Sequence, residues 1–141
     1  MASAHSIGAA ARASGVKVPT IRFYEQIGLM PPVGRTESNR REYGAEDVRR
    51  LRFIRHAREL GFSVDDIREL LAIAADPAGS CAGADSIAAR RLAEVERRIA
   101  QLGALRTELA RMIGSCRHGS VETCNVIETL ADHALCESSH A

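Results

Sequence analysis

The sequence predicts a mainly α-helical protein, a small multi-helix head followed by one long helix, and three observations carry that prediction. Of 141 residues 45% are hydrophobic but only 4% aromatic, with no Trp. The apolar content is therefore mainly Ala, Leu, Ile and Val on a background of Arg and Glu, and Ala, Leu, Arg and Glu have low helix cost. Glycines and prolines cut roughly the first 80 residues into short segments, each with an apolar step of three or four. Residues 85–113 then contain no Pro and a single Gly, Gly103.

The elements follow in order. IGAAARASGV places Ile7, Ala10, Ala11 and Val16 on one side and stops at Gly15. VPTIRFYEQIGL begins a second helix with Pro19 in its first turn and stops at Gly28. Two short helices joined by a tight, glycine-containing turn form a helix-turn-helix pattern, which other helical hairpins share. Pro31, Pro32 and Gly34 end helical structure, and the polar run from Arg35 to Tyr43, with Arg35, Arg40 and Arg41 close together, reads as a basic hairpin wing. AEDVRRLRFIRHARELGF gives a third helix with Val48, Leu51, Ile54, Ala57 and Leu60 as its apolar line, off which lie Arg49, Arg50, Arg52 and Arg55. SVDDIRELLAIAAD is a fourth, with Ser63 as N-cap, two acids in the first turn, and Ile67, Leu70, Leu71 and Ala74 facing inward.

Leu92, Val95, Ile99, Leu102, Leu109 and Ile113 step along the fifth helix as a heptad seam that Arg106 interrupts. At 1.5 Å per residue that helix is about 43 Å long, too long for the remaining residues to cover, so the seam calls for a second copy of the chain. Val126, Ile127, Leu130, Ala131 and Leu135 form a short amphipathic pattern after it.

Charge is distributed unevenly. Residues 1–60 carry 11 Lys/Arg against 6 Asp/Glu, and residues 61–141 carry 8 against 12. A basic first part on an acidic remainder is the footprint of a protein that meets a polyanion with one end. No stretch approaches the roughly 18 apolar residues of a membrane span, and MASAHSIGAAARASG lacks a charged-then-apolar pattern, so a cytoplasmic location is expected. H-E-x-x-H, P-loop and G-x-S-x-G motifs are absent, which argues against an enzyme.

Two of the four cysteines, Cys116 and Cys124, flank the polar loop SCRHGSVETC. In a reducing compartment such thiols point to metal binding or redox chemistry before structural disulfides. The readings left open by the residues alone are a metal site, a Cys116–Cys124 redox switch and simple burial.

Taken together, TIRFYEQIGL at 20–29, RTESNRREY at 35–43, LRFIRHARELGFSVDDIRELL at 51–71 and the cysteines at 81, 116 and 124 resemble the MerR family of bacterial transcription regulators. The resemblance implies a winged helix-turn-helix DNA-binding domain over 1–75, a hinge over 76–84, a dimerisation helix over 85–114 that forms an antiparallel coiled coil, and a metal-binding loop with a short helix and tail over 115–141. Carried over position by position, Thr20, Arg22 and Tyr24 look like recognition-helix contacts to DNA, Arg35, Asn39, Arg41 and Tyr43 like wing contacts, and Arg55 like a phosphate contact. The chain departs from the family in having Phe23, expected to pack inward, where a tyrosine is common, and NRREY where the wing usually reads Gly-Tyr-Arg.

The resemblance further implies a homodimer on double-stranded promoter DNA with an overlong spacer. Metal binding distorts that DNA so that RNA polymerase engages both hexamers. Cysteine at position 81 marks the sensors of divalent zinc, cadmium, lead or mercury, with Cys81 of one subunit meeting Cys116 and Cys124 of the other. The seven-residue loop is also similar to that of copper(I) and silver(I) sensors, which usually have serine at that position, so a monovalent site is the alternative. His118 is a candidate fourth ligand, suited to zinc or cadmium, while Cys136 is a candidate accessory thiol.

Overall fold

The computed structural model describes residues 5–32, 34, 35, 37, 41–114, 121 and 124–132. Six helices follow in chain order: α1 (Ile7–Ser14), α2 (Val18–Gln26), α3 (Ala45–Glu59), α4 (Val64–Ala74), α5 (Ala82–Gly114) and α6 (Asn125–Ala131). Among the described residues the only β pairing is two isolated antiparallel bridges, His5 with Tyr43 and Arg35 with Arg41. The chain divides into two compact units, residues 1–88 and 89–141.

The first unit is built on α3. Its residues Val48, Leu51, Ile54 and Ala57 are buried in one line, and against them lie Ala10 of α1, Ile21 and Tyr24 of α2, Ile67 and Leu71 of α4, and Leu29, Met30 and Tyr43 from the connecting segments. Short helices need such a surface because isolated helices of 8 or 9 residues do not persist in water. Their ends are closed as the sequence suggests. Ser6 Oγ accepts the Ala9 N–H at 3.1 Å, Gly15 at φ 77° donates its N–H to Ala11 O at 2.8 Å, and Ser63 Oγ accepts the Asp66 N–H at 3.1 Å. Gly44 donates its N–H to the Asp47 carboxylate at 2.8 Å at the start of α3.

Arginines of α3 and α4 close the remaining carbonyl ends. Arg52 donates through Nε and Nη2 to Ala13 O at 3.1 and 2.8 Å, Arg50 Nε to Leu29 O at 2.6 Å, and Arg68 Nη2 to Ile27 O at 3.0 Å. Arg52 and Arg68 meet carbonyls at the C-terminal ends of α1 and α2, where a positive charge is also favoured, and Arg50 holds the segment that follows α2.

The second unit consists of the rest of α5 with α6. Met112 is buried, and its carbonyl accepts the Asn125 side-chain N–H at 3.2 Å. Glu108 is buried beside Arg111, whose Nη2 lies 2.5 Å from its carboxylate. The seam residues Leu92, Ile99, Leu102, Leu109 and Ile113 are each more than half exposed on a single chain.

Four expectations change. Phe23 is 49% exposed and tilts against the Tyr24 ring at 6.0 Å, because at this register of α2 the inward direction is taken by Ile21 and Tyr24. Leu60 is exposed because α3 ends at Glu59 and the chain turns at Gly61, φ 84°. α5 begins at Ala82, inside the segment expected to be a hinge. In α6 the buried residue is Thr129, while Ile127 and Leu130 of the expected apolar face are exposed; Leu135 lies outside the described residues.

Ile54→Ala, at a fully buried position, is expected to destabilise the head by about 2–5 kcal/mol. Arg50→Ala, which removes a charge-assisted bond to a carbonyl, should cost about 1.5–3 kcal/mol. Urea denaturation followed by circular dichroism measures both.

Candidate nucleic-acid interface and metal centre

The turn between α1 and α2 presents the first part of the site. A shallow recess is lined by Gly15, Val16, Lys17, Thr20, Tyr24, Arg55, Arg58 and Glu59, so Thr20 and Arg55, far apart in sequence, share one surface. Gly15 is favoured there by its positive φ, which disfavours any side chain, and the Arg55 guanidinium packs against it. Arg55 Nε lies 3.1 Å from Glu59 Oε1 in an exposed i,i+4 pair, and Arg58 Nη1 donates to Phe62 O at 3.0 Å. Lys17, the N-cap residue of α2, was not singled out by the sequence reading, although its place just before a Pro-led helix that opens the second half of a helix-turn-helix was a usable signal.

Arg22 is exposed on α2, and Arg35 is exposed at the base of the wing, where it pairs with Arg41. Tyr24 and Tyr43 lie deeper than the other expected DNA contacts. Tyr24 is 7% exposed and Tyr43 fully buried, because both rings fill the core between α2 and the wing. The Tyr43 hydroxyl donates to Glu25 Oε1. Arg41 Nη1 lies 3.3 Å from Glu25 Oε2, so this arginine is committed to a carboxylate on α2. Burial, then the neighbouring Glu25 carboxylate, pushes the Tyr43 phenol up to about 12. Glu25 was also missed by the sequence reading, since its partners lie 16 and 18 residues away with no periodic relation. Asn39 lies outside the described residues.

Cys81 is exposed immediately before α5, and its thiol faces Asp85 Oδ2 at 3.9 Å. Cys124 is half-buried at the N-cap of α6. Neither is in a disulfide, which is the state a metal-binding thiolate requires. Among the described residues no three His, Cys, Asp or Glu side chains gather into a site. Cys116, His118 and Cys136 lie outside the described residues.

Comparison with known proteins gives the family of the chain. The family profile "MerR HTH family regulatory protein" matches residues 5–73, and "MerR, DNA binding" matches residues 48–112. "Heavy metal-dependent transcription regulator 2" of Rhizobium meliloti (strain 1021) is 43% identical over 90% of this chain and 86% of that protein. "HTH-type transcriptional regulator ZntR" of Escherichia coli (strain K12) is 42% identical over 92% of this chain and 94% of that one. Among solved structures, the transcription regulator PbrR691 from Ralstonia metallidurans CH34 in complex with lead(II) superposes with a TM-score of 0.78 at 32% identity, covering 89% of this chain and 98% of that one.

The raised Tyr43 phenol has a consequence for stability. Its folded value of about 12 lies above the ordinary value of about 10, so the folded state holds the proton more tightly. The Tyr43 contribution is therefore complete below about pH 10 and is lost as pH rises from there through about 12. Wild type is expected to lose stability over this window, and Tyr43→Phe to lose less, in urea titrations at stepped pH.

Proposed function

This chain belongs to the MerR family of helix-turn-helix transcription regulators, and from that premise we propose that it is a metal-responsive regulator. In this reading a homodimer sits on double-stranded promoter DNA and binds a divalent soft ion. Members of the family are DNA-binding regulators rather than enzymes. No helix among the described residues is long and apolar enough to cross a membrane.

The observation that carries the metal reading is Cys81, an exposed thiol outside any disulfide immediately before the long helix. A helix of 33 residues stands in the chain between Cys81 and the second pair of thiols. At roughly 50 Å such a rod is too long for one ion to take ligands beyond both of its ends. An antiparallel pair of α5 helices resolves the difficulty by bringing Cys81 of one protomer toward Cys116 and Cys124 of the partner subunit. The exposed line Leu92, Ile99, Leu102, Leu109 and Ile113 supplies the apolar surface for that pairing.

Three thiolates balance a divalent ion to a net charge of −1 in trigonal or tetrahedral geometry, which suits zinc, cadmium, lead or mercury; His118 as a fourth ligand favours zinc or cadmium. The names of relatives support the same class, one being heavy metal-dependent and one structure holding lead(II). The second reading is a two-thiolate copper(I) or silver(I) site made by Cys116 and Cys124 alone, which the seven-residue spacing favours.

On the DNA side, Thr20 and Arg22 of α2 enter the major groove, and Lys17, Arg35, Asn39 and Arg55 hold phosphates. Base contacts specify and phosphate contacts fix register. The proposed division of labour keeps residues 1–75 as the DNA-binding domain, 76–84 as hinge, 85–114 as the dimerisation helix and 115–141 as the effector segment. Metal binding then favours a dimer state that distorts an overlong promoter spacer for RNA polymerase, so that spacer deformability becomes part of specificity.

Competition titrations of the reduced apo-dimer with zinc, cadmium, lead, mercury and copper(I), together with transcription from an overlong-spacer promoter, test the reading. Cys81→Ser is expected to lose divalent-ion affinity by more than the roughly 100-fold that removal of an outer-shell partner costs, and to lose induction. Activation by copper(I) alone, unchanged in Cys81→Ser, would establish the two-thiolate reading instead. Leu102→Glu places a charge in the exposed seam and is expected to shift sedimentation from dimer to monomer.

A further inference from the structure

Glu25 is the point at which the recognition helix and the wing are joined. It lies on α2 three residues after Arg22, and its side chain is only 14% exposed. Both of its carboxylate oxygens are used. Oε1 accepts the Tyr43 hydroxyl, and Oε2 faces Arg41 Nη1 at 3.3 Å. Both partners come from the returning arm of the wing. That arm is held at its far side by the paired Tyr43 and His5 backbones, with reciprocal N–H···O bonds of 2.7 Å, and by the Glu42 N–H on Gly34 O at 2.8 Å. A single carboxylate on α2 thus ties to the recognition helix a segment that forms no regular strand among the described residues.

The same geometry decides what Arg41 can do. Transferring its guanidinium to a DNA phosphate would leave the Glu25 carboxylate without its cation, largely buried and facing a polyanion of the same sign. An uncompensated buried charge is costly, and the nearby phosphates would add repulsion. A guanidinium that keeps its carboxylate is neutralised within the protein and displaces no counterions from DNA.

We propose that Glu25 is a positioning residue that fixes the wing against the recognition helix, and that Arg41 acts on DNA through Glu25 and not by holding a phosphate. The proposal rests on the DNA-binding reading above, and the two fail separately. If wild type enriches no duplex from a random-sequence pool, the DNA-binding reading fails, whereas the Glu25 assignment is decided by variants on a duplex that wild type does enrich.

The test measures the affinity of the full chain for such a duplex by fluorescence anisotropy across a series of salt concentrations, for wild type, Glu25→Gln, Arg41→Ala and the double variant. Each phosphate neutralised contributes about 0.9 to the slope of log affinity against log salt. The expected result is that Arg41→Ala weakens binding at least about tenfold with its slope unchanged from wild type, and that Glu25→Gln weakens binding to a similar extent, the double variant being no worse than either single one. A fall of about 1.8 in the Arg41→Ala slope, about 0.9 from each protomer of the dimer, or additive losses in the double variant, would overturn the proposal. Should Glu25→Gln fail to fold by circular dichroism, the Arg41→Ala slope decides alone.

Discussion

The head depends on one constraint: α1 and α2 are too short to exist unless neighbouring helices supply both their apolar partner and the closure of their ends. α3 provides the apolar line and closes α1, while Arg68 of α4 closes α2 at Ile27 O. Val48, Leu51, Ile54 and Ala57 give the buried line, and Arg50 and Arg52, one step off it, reach Leu29 O and Ala13 O. Burial alone would leave the two short helices free to slide along an apolar surface, since hydrophobic contact is not directional. Hydrogen bonds from a planar guanidinium to particular carbonyls remove that freedom. Arg52 thereby fixes the end of α1, and Arg50 the segment that follows α2.

This division changes how the basic character of the first 60 residues is understood. The excess of positive charge there is real, but several of its members are occupied within the protein. Arg52 closes the end of α1, Arg50 holds Leu29 O, Arg58 holds Phe62 O, Arg41 faces Glu25, and Arg49 and Arg55 pair with Glu46 and Glu59 along α3. The exposed pairs are worth little and exchange readily with phosphate. The half-buried Arg41–Glu25 pair is not exchangeable on the same terms, because separating it strands a carboxylate. Counting arginines thus overstates the phosphates that the head neutralises, and the orientation of α2 and the wing carries more of the recognition than the count suggests.

Most of the fold was legible because it is written in local signals. Apolar steps of three and four, Ser63 ahead of two acids, and glycines at 15, 28 and 61, all with positive φ, gave the helices and their stops. What was not legible depends on pairs distant in sequence. Nothing local distinguishes Arg52, which reaches back 39 residues to Ala13 O, from an arginine facing solvent. Tyr24 and Tyr43 resemble surface contacts by motif, yet both are core residues, and exposed Phe23 takes the outward position beside Tyr24. The proposed metal site rests on residue type alone, because its ligands are assigned to two copies of the chain and Cys116 and His118 lie outside the described residues.

A site divided between protomers constrains how an effector can act. Ligands that meet only in the dimer require the dimer to exist first, so the energy that holds it together must come from elsewhere. The exposed seam of α5 meets that requirement without metal: five large apolar side chains in a line are a large area to remove from water, and each contributes on the order of 1.5–3 kcal/mol when fully buried. Metal then cannot be the agent of assembly in the proposed reading; its effect on transcription has to arise from a difference in its affinity for two states of a dimer already formed. A ligand with equal affinity for both states shifts nothing, however tightly it binds. In the proposed reading the selectivity of the response therefore lies in the difference in metal affinity between those two states, and not in thiolate affinity alone.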